Sequence, residues 1–508
     1  MISPELSDVQ TIVEMAEAAR MSDGWRKSSQ ILREGLEAHP DSVLLMVKLG
    51  KALRFCSGFA EAREVLQRAE SIAPDDYEVL YQLGIVLRAE AEIWGALAAH
   101  SSLVKKFPED PDARHVLAND HIVLGYPDKA LPELKQLIGQ FPRHMNYRIS
   151  YAGCLNKMGR YTESIAVLNE VLEQKPLSVD SLICLAEANQ GLRRLNQWTA
   201  AARKAYELDP NSAVVNLLMY NVYLEEANFK QALEHLQRAL ESHPRFFKAQ
   251  VAMGSFYWNA NDEDVAQEWF ELANKIAPWD GEVQGMLAQF QAETQGGIPA
   301  ETEGGIPKIE LLENEALTVP YGGLPYYLGR IFLGTYHDYE RALRFCQLAV
   351  ECAPEDVDSR RLLGQTYLVR EEYDAAIEQL QLVLKLCPGL IEAQQQLAFA
   401  YLQADQLSEA ATLYASVLPY LPNQAHIHQG YGVTLVNLGQ IDEGLTHLQK
   451  AVQLDNNNGN MLLSLAMALE AVDRPSDALE VALKAKALLP EDEQQEIIEL
   501  LNRLQVSS

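Results

Sequence analysis

A chain of 508 residues exceeds the size at which one hydrophobic core stops growing, so it is either several globular domains or a quasi-one-dimensional stack. With 48% hydrophobic and 22% charged residues it has the composition of a folded protein, not a disordered one. Its net charge of −29 argues against nucleic acid, whose ligands present a basic face to phosphates, and against an anionic membrane surface.

The first residues, from Met1 to Asp8, carry neither a basic segment nor an apolar one, so no signal peptide is expected. No run approaches the apolar length of a bilayer span, and no membrane insertion is expected. Six cysteines (Cys56, Cys154, Cys184, Cys346, Cys352, Cys387) are scattered without a Cys-x-x-Cys pair. That usage suits a reduced, cytoplasmic protein, and buried packing for Cys346 and Cys352.

Prolines mark the organisation. Pro40, Pro74, Pro108, Pro142, Pro176, Pro210, Pro244 and Pro278 are each 34 residues apart, and Pro354, Pro388 and Pro422 keep the same spacing. Asn456 takes the next place and Pro490 resumes the count. The interval between Pro278 and Pro354 holds eight residues too many, and the excess is a duplicated octapeptide: residues 293–300 recur, with two changes, as residues 301–308. Without one copy Pro320 falls on the period. The array is therefore continuous, with fourteen units over residues 9–492.

Counting each unit from 31 residues before its proline, the eighth position is small in most units (Gly50, Gly84, Ala118, Gly254, Gly364, Gly432), and so is the twentieth (Ala62, Ala96, Ala130, Ala232, Ala376, Gly444). Two apolar-periodic stretches per unit read as two helices that approach closely at these positions. In unit eleven the spacing predicts Val357–Val369 and Tyr373–Leu386, joined by Arg370, Glu371 and Glu372, with Pro388 ending the pair. Asp41, Asp75 and Asp110 are placed to cap the helices that follow. Residues 493–505 read as an amphipathic helix that covers the last unit.

A unit with Leu49-Gly50, Ala62, Ala69 and Pro74, repeated in Leu83-Gly84 with Ala96 and in Leu363-Gly364 with Ala376, resembles the tetratricopeptide repeat. The resemblance implies an all-α fold, a right-handed solenoid superhelix of stacked antiparallel helix pairs. First helices would line a concave groove through positions two, five, nine, twelve and thirteen.

On that frame position twelve holds Arg20, Arg54 and Arg88, and Lys51 at position nine adds a cation. Tyr81 and His115 at position five and Asn119 at position nine lie beside them in register. Guanidinium forks suit carboxylates, so this wall is the candidate site for an acidic partner segment. Solvated arginine, with Arg20 paired to Glu17, is the alternative. The family's dicarboxylate clamp is not expected, because the position-five partners of Asn119 and Asn221 are His115 and Leu217, not lysine. Asn221, Ser255, Gln365 and Phe399 at position nine, with Gln395 and Gln429 at position five, make a groove that can hydrogen-bond an extended backbone.

No nucleotide loop, metalloprotease motif or acid–base pair is present. His426 and His428 stand two apart on a helix and do not share a face, so no shared metal is expected. No cofactor or catalytic residue is expected. The ninth unit carries a flexible loop over residues 293–308 and a shortened second helix over residues 309–317, opened by Pro307. It would divide an N-terminal array (residues 1–280) from a C-terminal one (323–492, then a cap and tail over 493–508), with 281–322 irregular between them. That unit either hinges the two arms or merely tolerates a slippage insertion. Residues 1–246 hold 27 of the 42 Lys and Arg and 33 of the 71 Asp and Glu, so the acidity lies in the second half, where a basic partner would dock. The expected function is a non-enzymatic scaffold or adaptor that assembles protein partners, with self-association open. The alternative is a regulatory or substrate-recruiting subunit of a separate enzyme.

Overall fold

The computed structural model describes residues 8–298 and 308–507. Among these residues every regular element is helical: fourteen antiparallel pairs in tandem, a closing helix at Gln495–Ser507 and two short 3-10 turns. The all-α solenoid expected from the repeat is what forms. In unit eleven the pair is Val357–Val369 and Tyr373–Leu386, as the spacing predicts. In the ninth the second helix is Lys308–Thr318.

Local chemistry fixes each pair. First helices open on caps whose side chains accept a backbone N–H three residues on: Asp8, Ser42, Asp76, Asp110, Ser178 and Ser212. Two caps therefore fall one residue beyond the expected Asp41 and Asp75, because Ser42 and Asp76 are the residues with extended backbone at the helix mouth. Asp41 and Asp75 instead pair with Arg68 and Lys106, on the second helices of the repeats that follow.

The small residue at position eight makes room for a large side chain at position 24. A Cβ on Gly254 would meet the Phe270 ring at 2.7 Å, and one on Gly50 would meet Leu66 at 2.6 Å. Phe270, Leu66, Leu380 and Leu448 are accordingly buried against these glycines. A further register is visible only in the structure. The position-four side chains of Asn216, Gln250, Gln284 and Gln394 donate to the carbonyl oxygens of Pro210, Pro244, Pro278 and Pro388 at 2.7–2.9 Å. Each satisfies an acceptor left free where the preceding second helix ends.

The chain divides into two compact units, Met1–Asp356 and Val357–Ser508. The irregular ninth repeat is internal to the first of them, where its first helix, Gly281–Gln295, packs on Leu324–Gly334 of the tenth. Glu293 to Gln295, the start of the octapeptide, extend that first helix. Gly296 ends it in a left-handed conformation, and the Ile298 N–H donates to the Tyr336 hydroxyl at 2.8 Å. Residues 299–307 of the duplication, Pro307 included, lie outside the described residues.

Within the first compact unit the coil closes on itself. The Phe59 and His243 rings, from repeats two and seven, lie 5.0 Å apart, and Arg245 reaches Glu92 at 3.5 Å. Trp279 joins the core cluster that holds Leu124, and Val319 lies against Gly125. Residues 159–162 of repeat five meet residues 353–356 at the end of repeat ten. There the Glu355 N–H donates to the Gly159 carbonyl at 3.0 Å, and the Glu355 carboxylate accepts from the Thr162 N–H at 2.7 Å and from its hydroxyl. Successive turns of this unit are therefore in contact.

Candidate functional site

The expected N-terminal wall is present, but its cations are in different states. Arg20 donates to Glu17 at 2.9 Å and lies over Trp25, 5.1 Å from the ring centroid. Arg88 is bound inward: its guanidinium donates to Asp120 at 2.7 Å and to the Val116 carbonyl at 3.2 Å. Arg54 is the exception. It lies over Phe55 at 4.4 Å, its Nε is buried without a hydrogen-bond partner, and burial pulls its pKa below the usual arginine range. Phe55 in turn stacks on Trp25, with ring centroids 4.4 Å apart. Lys51 lines a small cavity of about 390 Å³ with Lys48, Tyr77 and Glu78. Within the arginine wall, then, Arg54 keeps an unpartnered Nε and Lys51 lines a cavity, whereas Arg20 pairs with Glu17 at the surface and Arg88 is bound inward to Asp120. Neither Trp25 nor Phe55 was singled out in the sequence: Trp25 stands outside the groove positions, whereas Phe55 occupies position thirteen, where the register could have placed it.

Tyr81, His115 and Asn119 follow in register. Tyr81 is half-buried, and burial raises its pKa. His115 Nε2 lies 2.8 Å from the Ser150 hydroxyl and 3.2 Å from Asn119 Nδ2. Burial, and then the Arg88 charge, push its pKa down to about 4. The imidazole is therefore neutral at pH 7 and acts as a hydrogen-bonding group, not a cation. Since the folded value lies below the ordinary 6.5, the unfolded chain takes up the proton first as pH falls. Stability is full above about pH 6.5 and declines as pH drops towards 4. His115→Gln is expected to flatten this decline, checked by thermal melts at pH 7.0 and 4.5. An unchanged pH dependence would assign the decline elsewhere. Asn221 lies three units on, half-buried on Ala213–Glu225, apart from this cluster.

A second charged group lies further along the same compact unit. Lys157, Glu187, Lys248, Asp280 and Glu282, from repeats five to nine, come within electrostatic reach of one another. The Lys248 charge, with burial, holds Lys157 below the usual lysine range. For Lys248 itself burial acts in the same sense but is outweighed by Glu282, Glu187 and Asp280. Lys157 remains open to solvent, so the coil crowds it without sealing it. Position-by-position reading missed this group because its members are far apart in the chain.

A large concavity lies in the second compact unit. A cavity of about 830 Å³ runs over the first helices of repeats twelve, thirteen and fourteen. Gln395, Gln429 and Phe399, expected in the groove, all line it, and so do His426, Val433, Asn437, Asn460 and Met467. The last five occupy the groove positions two, nine and thirteen, so the register that placed Phe399 could have placed them. The two histidines of the His-x-His diverge: His426 Nε2 meets Gln395 at 2.6 Å in the groove, whereas His428 meets His447 at 2.9 Å and the Pro422 carbonyl at 3.1 Å.

The comparisons with known proteins agree with this architecture. A family profile for subunit 3 of the anaphase-promoting complex, or cyclosome, matches residues 89–171. Tetratricopeptide repeat profiles match residues 223–290, 337–391 and 425–458. General transcription factor 3C polypeptide 3 of Homo sapiens is 24% identical over 188 residues, 37% of this chain and 21% of that protein. Cellulose synthase operon protein C of Pseudomonas fluorescens (strain SBW25) is 25% identical over 185 residues, 34% of this chain and 14% of that protein. The matched stretches thus span about a fifth of the first of these curated relatives and a seventh of the second. Among solved structures, the APC/C hetero-tetramer Cut9–Hcn1 superposes with a TM-score of 0.51 at 14% identity, covering 98% of this chain and 99% of that one. At that identity the likeness is one of fold. Three stretches matched by the repeat's own profiles, in an array of paired helices that keeps one register throughout, lead to a single assignment: the chain is a tetratricopeptide repeat protein.

Proposed function

We propose that this protein is a non-catalytic scaffold that assembles protein partners, and that it holds an extended segment of one of them in the first-helix groove of repeats twelve to fourteen. The observation that carries the proposal is the cavity of about 830 Å³ lined from three successive first helices, large enough for a peptide and built on rigid elements. Repeat arrays of this family serve as interaction scaffolds, and a tetratricopeptide-type fold in a named hetero-tetramer, Cut9–Hcn1, supports the same use of this one. The N-terminal groove supplies a second surface. A half-buried guanidinium without a counter-ion is costly, and a carboxylate of an acidic segment beside Arg54 and Lys51 would offset that cost.

Affinity capture with the full chain tests both surfaces at once. Phe399→Asp puts a charge into the C-terminal groove and is expected to lower retention of one reconstituted partner by about tenfold or more. Arg54→Glu should spare that partner and release an acidic one. Circular dichroism confirms that both variants stay folded. If every partner is retained equally by wild type and both variants, the groove reading is wrong.

A further inference from the structure

We infer that the groove of repeats twelve to fourteen takes an uncharged segment in polyproline II conformation, with an apolar side chain at every third residue. The inference rests on the groove reading above and adds the chemistry of the occupant.

Charge is partitioned in the second compact unit. Residues 357–508 hold nine Lys and Arg against twenty Asp and Glu, yet Glu496 is the one residue of those four types that lines the cavity. The acids are placed elsewhere on this arm. Away from Glu496, a charged side chain entering the groove would lose water without gaining a counter-ion, at a cost of several kcal/mol. The part of the partner that touches the groove is therefore uncharged, and the basic partner expected from net charge alone does not fit here.

Spacing sets the conformation. Phe399, Val433 and Met467 share repeat position nine, one on each successive first helix. Phe399 is 43% exposed and Met467 38%, so both offer apolar surface to a ligand. Helices packed side by side stand roughly 8–10 Å apart. A polyproline II chain returns to the same face every three residues, about 9 Å. A β-strand returns every two, about 7 Å, and drifts out of step. Three apolar contacts in register correspond to a segment of about seven residues.

The polar wall answers the backbone. A polyproline II chain makes no internal hydrogen bonds, so its N–H and C=O groups need partners. Gln395, Gln396, Gln403, Asn437 and Asn460 line the cavity, and an amide can both donate and accept.

Fluorescence anisotropy with labelled nonapeptides and the full chain tests this. The first peptide carries Leu at positions one, four and seven with Pro and Gln between. The second has the same composition with Leu at one, three and five. The third has Glu in place of Leu. The first is expected to bind about tenfold or more tighter than either of the others, about 1.4 kcal/mol. Phe399→Ala with Met467→Ala should lower its affinity by a similar factor. Equal or tighter binding of the second or third peptide, no binding of the first, or indifference to the double substitution would overturn the inference. The peptide comparison needs no variant, so a folding defect cannot obscure it. If Phe399→Asp still releases a partner while the first peptide fails, the groove is used and the chemistry assigned to its occupant is wrong.

Discussion

Asp120→Ala is expected to destabilise repeats three and four by about 3–5 kcal/mol, the cost of breaking a buried ion pair from one side. Asp120 is 0% exposed. One carboxylate oxygen accepts from Arg88 at 2.7 Å and the other lies 2.5 Å from His100 Nδ1. His100 is itself fully buried against Gly84, and its Nε2 is 3.3 Å from the Tyr81 carbonyl. Arg88 and His100 belong to repeat three and Asp120 to repeat four, so one carboxylate ties two neighbours together. Removing it leaves a guanidinium and an imidazole facing an apolar gap. Because each repeat touches mainly its neighbours, the loss is local. Amide exchange over residues 77–140 should accelerate while residues 391–471 are unchanged. A melt and an exchange pattern both within error of wild type would show that the pair contributes nothing.

Gly159→Val is expected to separate the touching turns of the first compact unit. Gly159 has φ +56, where a β-branched residue costs about 1–2 kcal/mol. A Cβ there would stand 2.4 Å from Ala353 Cα and 2.8 Å from its carbonyl carbon. Backbone cannot rotate away as a side chain can, so the contact has to open. With it go the Glu355 N–H to Gly159 bond and the two bonds that the Glu355 carboxylate accepts from Thr162, each contributing about 1 kcal/mol. The amides of Thr162 and Glu355 should then exchange at least about tenfold faster, at 1.4 kcal/mol per factor of ten. Glu355→Gln keeps the shape and should give a smaller effect of the same sign. If the valine variant exchanges like wild type at both amides, the turns are not held together at this point.

The fold was legible because its determinants are local and repeated. Pro388, Gly364 and Ala376 each report on a helix end or a close approach within one unit, and the same chemistry recurs in most of the fourteen units. Even the shortened helix Lys308–Thr318 could be placed once the octapeptide was removed from the count. The states of the groove residues were less legible. Arg20, Arg54 and Arg88 occupy one column and look alike. Their difference lies in neighbours that a column does not show: Glu17 three residues back, nothing for Arg54 Nε, and Asp120 at a buried position of the next repeat. The contact of Gly159 with Ala353 and the electrostatic influence of Lys248 on Lys157 join residues that the period places in unrelated units, since coil geometry and not repeat spacing decides them. The division at Asp356, one repeat beyond the irregular ninth, likewise follows from packing that no linker composition announces.

A solenoid whose turns stand apart stretches like a soft spring, each interface yielding a little under small forces. The first compact unit cannot respond in that way. Phe59 on His243, Arg245 on Glu92 and Glu355 on Thr162 are short-range contacts that must rupture before the coil can lengthen at all. Its force–extension curve should therefore begin with a steep, nearly inextensible limb and a yield point. Only beyond that point does compliance set in, as repeats peel away one after another.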